Sequence, residues 1–187
     1  KKKIYHMIAE FMMRPRKKYR EINFGRQLKN LTNLHIMIIG EKIILRRSVF
    51  FDNDKGKNFY YVHSAIEKNI GKIISVVKLN GLSEENSDLG NKLSMHIAAS
   101  NPLSLEKNDL DKDVLAKELE IIKAELVNSG KKPEMVDKIS NGKLNKFISD
   151  NTLLNQAWIM DPKSKVSDIL QDVKVIKFVR YKVGEGV

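Results

Sequence analysis

LAKELEIIKAEL, residues 115–126, puts Leu115, Leu119, Ile122 and Leu126 at the 4-3-4 spacing of a coiled-coil seam. Lys and Glu fill most of the remaining positions, so one stripe is apolar and the rest is largely solvated. Asn128-Ser129-Gly130 supplies the stop, because glycine accepts the left-handed backbone that ends a helix. Pro133 suits the first turn of a second helix, whose apolar residues are Met135, Val136, Ile139 and, after Gly142, Leu144, Phe147 and Ile148. Two helices joined by so short a loop fold back on each other, which predicts an antiparallel hairpin over residues 109–150.

On both sides of the hairpin the pattern changes to strands. Residues 43–51 are rich in β-favouring side chains and read as a strand with Arg46 and Arg47 near its middle. Asp52-Asn53-Asp54-Lys55-Gly56 is turn chemistry, and 59–63 reads as the returning strand. Residues 70–79 form a further strand, ended by Asn80-Gly81, and 84–100 a helix with Leu89, Leu93 and Ile97 on one face, closed before Pro102. Beyond the hairpin the pattern predicts a strand over 157–160, a short helix over 166–173 and an alternating strand over 175–183. Ahead of all this, Leu28, Leu31, Leu34 and His35 suggest the last turns of a helix, leading into an apolar run at 36–39 and a turn at Gly40. Residues 36–107 and 151–187 are therefore expected to form antiparallel sheet with packed helices. The class is α+β, with the helical hairpin as an insertion.

Charge divides the chain unevenly. Of a net +11 over 187 residues, residues 1–30 contribute ten basic groups against two acidic ones. A basic N-terminal arm over 1–28 is expected, followed by a nearly balanced body over 29–187. Such an arm fits a polyanionic partner such as RNA, a targeting remnant, or a solvated tail. Its aromatics Tyr5, Phe11, Tyr19 and Phe24 can stack on unpaired bases, while Arg14, Arg16, Lys17, Lys18 and Arg20 can neutralise phosphates.

Several kinds of chemistry lack their residues. The chain has no cysteine, which excludes disulfides, thiolate metal sites and cysteine nucleophiles. Its longest apolar stretch, 36–40, is far below the roughly twenty residues of a membrane-crossing helix. Asp109, Asp111, Asp113 and Glu120 imitate a calcium loop, but Val114 stands where the sharp turn needs glycine, and helix N-terminal acids are the better account. Neither a phosphate-cradling G-x-x-x-x-G-K-[S/T] loop nor an H-E-x-x-H pair occurs. Asn30-Leu31-Thr32 fits a glycosylation acceptor without other signs of secretion. His6, His35, His63 and His96 have no carboxylate or nucleophile at motif spacing. An enzyme, a cofactor and a metal site are all unexpected.

Met95-His96-Ile97-Ala98-Ala99-Ser100-Asn101-Pro102 resembles the signature of the translation elongation factor Ts family. Family-like stretches follow the same order along 29–187: Ile39-Gly40-Glu41-Lys42 leading to Arg46-Arg47, Tyr61-Val62-His63, Ile70-Gly71-Lys72, Gly142-Lys143-Leu144-Asn145-Lys146-Phe147, and Phe178-Val179-Arg180-Tyr181-Lys182-Val183-Gly184-Glu185-Gly186. The helical hairpin stands where that family has its coiled-coil protrusion.

The resemblance implies a binding protein without a nucleotide site of its own, which grips the GTPase elongation factor Tu and promotes GDP release. By positional match, Ile39 and Gly40 would lie in a core loop facing the GTPase, and His63 would touch the same partner. The family's N-terminal helical module and its Thr-Asp-Phe wedge have no match in residues 1–28, where Asn23-Phe24 is a poor echo. The sequence ends at Val-Gly-Glu-Gly, before the C-terminal helix of some members, and is basic where bacterial members are typically acidic. These departures keep a second expectation open: the same fold recruited into a ribosome, with the arm on ribosomal RNA and the core against ribosomal proteins. The corresponding compartments are an organelle matrix, mitochondrial foremost, or a bacterial cytoplasm.

Overall fold

A computed structural model describes residues 47–52, 54–67, 69–81 and 87–185. In chain order the elements are β1 (Lys57–Glu67), β2 (Ile70–Asn80), α1 (Ser87–Ser100), α2 (Lys112–Asn128), α3 (Pro133–Asn151), β3 (Ala157–Trp158), β4 (Asp161–Lys165), α4 (Val166–Leu170) and β5 (Lys174–Lys182). β1, β2 and β5 form an antiparallel sheet in that order, and β3 pairs with β4 in a separate two-stranded ribbon. The architecture is α+β: antiparallel sheet, packed helices and a projecting helical hairpin.

β2 is central because its sequence, IGKIISVVKLN, is apolar on both faces. On one face Val77 and Leu79 join Leu93 and Ile97 of α1, and Leu153, Trp158, Val166, Leu170 and Val173 complete the core. Full burial of each such aliphatic side chain contributes roughly 1.5–3 kcal/mol. α1 crosses all three strands, held at three points. Gly90 lies against the Phe59 ring of β1, the Ser75 hydroxyl of β2 donates to the Ser94 carbonyl, and Arg180 Nε of β5 donates to the Ala98 carbonyl at 3.0 Å.

The opposite face is crossed by residues 47–52. The Arg47 guanidinium lies 4.9 Å from the Tyr181 ring centroid, and the Lys177 ammonium 5.1 Å from that of Phe51. Lys78 and Lys177 are direct partners across β2 and β5, a like-charge pairing that Asp52 relieves by an ion pair to the buried Lys78 ammonium. That hydrogen bond holds the Asp52 carboxyl below the ordinary carboxylate range.

The hairpin has the expected seam. Ile122 and Leu126 of α2 pack on Val136 of α3, with Ile139 and Leu144 against the same cluster. Lys123–Asp137 at 2.9 Å and Lys143–Glu125 at 3.3 Å bridge the helices at the surface. Gly130, at φ 72°, makes the stop, and Pro133 is the first residue of α3. Two of the acids that imitate a calcium loop cap backbone N–H groups: Asp111 accepts from the Asp113 N–H at 2.9 Å, and Asp109 from the Glu106 N–H at 3.1 Å, while Asp113 lies in the first turn of α2 and Glu120 further along it. The two roots of the hairpin are stitched together by Leu103 N–H to the Asn151 carbonyl (2.8 Å) and Leu153 N–H to the Ser104 carbonyl (2.9 Å).

Four expected boundaries are corrected. The strand over 43–51 is not one in its described part: 47–51 has no strand geometry and is held by side chains, with Arg47 on Tyr181 rather than in a ladder. The strand expected at 59–63 is the longer β1, which among the described residues pairs with β2, since backbone pairing continues through polar residues that carry no apolar signal. The strand expected over 157–160 stops at Trp158, where the chain turns into β4, DPKSK. The helix over 166–173 ends at Leu170, because Gln171 turns to φ 49°. The start of the helix expected at 84, and the residues before 47, lie outside the described residues.

Candidate functional site

His63 is exposed on β1, inside the strand and not at its end. Strand alternation puts it on the same face as Phe59 and Tyr61, the face that α1 covers further along. Its cross-strand partner is Ile73, whose own partner on β5 is the exposed Lys182. The Tyr61 hydroxyl lies 3.4 Å from His63 Nδ1, with ring centroids 6.1 Å apart and planes inclined by 43°. With Nδ1 facing its own strand, Nε2 is the nitrogen on the far side of the ring. An exposed imidazole on a paired strand can make a directed hydrogen bond to a partner.

The backbone around His63 is unusual. Ser64 has φ 51°, and the register shifts between Ala65 and Glu67. Opposite them, a Cβ on Gly71 would stand 2.5 Å from Val62 Cγ1 and 2.8 Å from the His63 carbonyl oxygen. Ser64 and Tyr61 were not singled out in the sequence as contributors to this site. Spacing could not reveal them, since a left-handed serine has no sequence signal, although Gly71 sits in a family-like stretch.

His96, from the signature, has a different fate. It is fully buried and stacked on Trp158, with ring centroids 5.1 Å apart and planes inclined by 22°. Nε2 meets Gln156 Oε1 at 2.9 Å, and Nδ1 faces the Ile159 N–H at 3.4 Å. Both contacts suit a neutral ring that donates from Nε2 and accepts at Nδ1. Gln156 Nε2 donates onward to the Asp150 carbonyl at 2.7 Å and the Ser100 carbonyl at 3.3 Å, so one side-chain pair ties the ends of α1 and α3 together. Burial pushes the His96 pKa down, and the Gln156 hydrogen bond only partly opposes it. This is structural chemistry, not a proton shuttle.

An open groove of about 680 Å³ runs between the end of α1 and β5. Its charged lining is ion-paired, Arg180 to Glu185 at 3.0 Å and Arg47 to Glu185 at 3.9 Å, and no nucleophile–base pair lies among its lining residues. Exposed apolar side chains include Ile159 and Met160 at the turn from β3 to β4, Leu103 beside the hairpin root, and Val127 and Met135 near its tip. Ile39 and Gly40, and the basic residues Arg14, Arg16, Lys17, Lys18 and Arg20, lie outside the described residues.

Among protein families, Elongation factor TS matches residues 2–185. The chain belongs to the elongation factor Ts family. That match extends ahead of residue 29, into the basic arm. Similar proteins include elongation factor Ts of Caulobacter sp. (strain K31), 35% identical over 87% of this chain and 55% of the relative. Elongation factor Ts of Hahella chejuensis is 40% identical over 80% of this chain and 49% of the relative. That of Nitrobacter hamburgensis is 36% identical over 81% and 53%. The chain thus spans about half the length of the curated relatives it matches. No described helix is long and apolar enough to cross a membrane.

Proposed function

We propose that this chain acts as a guanine-nucleotide exchange factor, binding elongation factor Tu and promoting release of GDP. The observation that carries this reading is the elongation factor Ts match over nearly the whole chain. Ile39, Gly40 and His63 are the proposed contacts, with residues 29–187 as the core, 109–150 as its hairpin and 1–28 as a basic arm. The relatives named above carry the elongation factor's name and are bacterial, which favours exchange in a bacterial-type cytoplasm over a structural place in a mitochondrial ribosome. Exchange of this kind is differential binding: the factor prefers the nucleotide-free GTPase, so its binding energy is spent on expelling GDP.

The test is release of a fluorescent GDP analogue from elongation factor Tu. The chain is expected to accelerate release, and His63→Ala to weaken the effect. Loss of one directed contact costs about 1–2 kcal/mol, or roughly five- to thirtyfold in affinity. A chain that binds the GTPase while GDP release stays at its spontaneous rate overturns the proposal.

A further inference from the structure

The ladder between β1 and β2 keeps one register from Lys57↔Leu79 through His63↔Ile73 to Ala65↔Gly71, and shifts between Ala65 and Glu67. Between His63 and Ala65, Ser64 takes φ 51°, inside a strand where serine ordinarily has a negative φ. Packing does not account for this conformation, because Ser64, Ala65, Ile66 and Glu67 are all exposed. The other strand is adapted to it. Gly71 is buried, and a Cβ there would come within 2.5 Å of Val62 Cγ1, 2.8 Å of the His63 carbonyl oxygen and 3.3 Å of the Ser64 carbonyl oxygen. Only glycine lets β1 press this closely on β2 at His63.

An unusual backbone angle and a close approach thus converge on one residue, the exposed imidazole. The strand before His63 is fixed by its ladder, the backbone after it is distorted at Ser64 and shifts register between Ala65 and Glu67, and Tyr61 stands against Nδ1. We propose that Ser64 and Gly71 are positioning residues that hold the distorted backbone beside His63 and so aim its ring at the GTPase. This rests on the exchange reading for its target but not for its geometry. Strand irregularities of this sort recur where a strand must re-aim a side chain.

The experiment compares Ser64→Gly, which takes a left-handed φ freely, with Ser64→Val, which resists it. Left-handed geometry disfavours a β-branched residue by roughly tenfold or more in population. Affinity for nucleotide-free elongation factor Tu is expected to stay at or above the wild-type value in Ser64→Gly and to fall about tenfold in Ser64→Val. In a His63→Ala background, Ser64→Val is expected to change affinity less than twofold, because the residue it acts through is gone. An equal loss in both backgrounds would show a merely structural role and overturn the proposal, as would wild-type affinity in Ser64→Val with His63→Ala impaired.

A second readout works without the GTPase. The nuclear Overhauser effect between the Tyr61 and His63 rings is expected in wild type and Ser64→Gly, and expected to be lost in Ser64→Val. Its persistence in Ser64→Val overturns the positioning role. Its loss, combined with a His63→Ala chain that still binds normally, shows that Ser64 orients the ring but overturns the part of the proposal that aims it at the GTPase. Gly71→Ala, if it folds, should resemble Ser64→Val in both measurements.

Discussion

His96→Ala is expected to destabilise the chain by about 3–4 kcal/mol and to abolish most of its loss of stability in mild acid. The magnitude follows from what the ring does. Removing it opens a cavity against Trp158 and leaves Gln156 Oε1 without its donor and the Ile159 N–H without its acceptor, at roughly 1–3 kcal/mol for each buried group left unpaired. The pH dependence follows from the lowered pKa of a buried, neutral ring. In the unfolded chain this histidine takes a proton near its ordinary value of 6.5, while the folded chain resists protonation. The unfolded state therefore binds more protons, and stability rises with pH across that window. His96 contributes fully above about pH 6.5, and its contribution is lost as pH falls from there toward the folded-state value. Trp158 is the chain's one tryptophan and stacks on this ring, so its fluorescence reports the event directly. Urea unfolding followed at Trp158 between pH 7.5 and pH 5 should show the acid loss in wild type and a nearly flat contribution in His96→Ala. Parallel pH slopes in the two proteins would refute the assignment.

Gly90→Ala is expected to cost about 2 kcal/mol, although alanine is the better helix former. A Cβ at this position would lie 2.3 Å from two carbons of the Phe59 ring and 2.5 Å from a third. Overpacking of this severity costs about 3 kcal/mol, set against a propensity gain of about 1 kcal/mol. For a chain of this size the net change lowers the melting temperature by about 4–8 °C. In a Phe59→Ala background the obstacle is absent, and the same substitution should stabilise by up to about 1 kcal/mol. Thermal unfolding of the four proteins of this cycle checks it: a reversal of sign identifies the ring as the cause, and the same sign in both backgrounds would place the cause elsewhere.

The parts of the fold that were legible in the sequence are those whose apolar period is intrinsic to one segment. The seam of Leu115, Leu119, Ile122 and Leu126 declares the hairpin, and the run from Ile70 to Leu79 declares the central strand. Segments that owe their shape to distant partners were not legible. β4, DPKSK, has no apolar residue and even holds a proline, and it is a strand only because the ribbon turns there beside Trp158. Residues 47–51 have the composition of a strand, yet they are held to the sheet by Arg47 on Tyr181 and Phe51 beside Lys177, contacts spanning more than a hundred residues.

The candidate site divides in the same way. His63 was found through the resemblance, which marks a position without explaining it. Its supports were invisible: the left-handed Ser64 is a backbone property that no residue type announces. His96 belonged to the motif that identified the family, but its partner Gln156 lies 60 residues away, so spacing alone could not separate a buried clamp from a contact residue.

The proposed exchange activity is differential binding, and two affinities test it. The chain is titrated onto nucleotide-free elongation factor Tu and onto the same GTPase saturated with GDP. Linkage requires that the factor's preference for the empty form equal the factor by which it weakens GDP. The expected result is binding to the nucleotide-free form tighter by at least about tenfold, matched by an equal loss of GDP affinity in the complex. Equal affinity for the two forms would contradict the account.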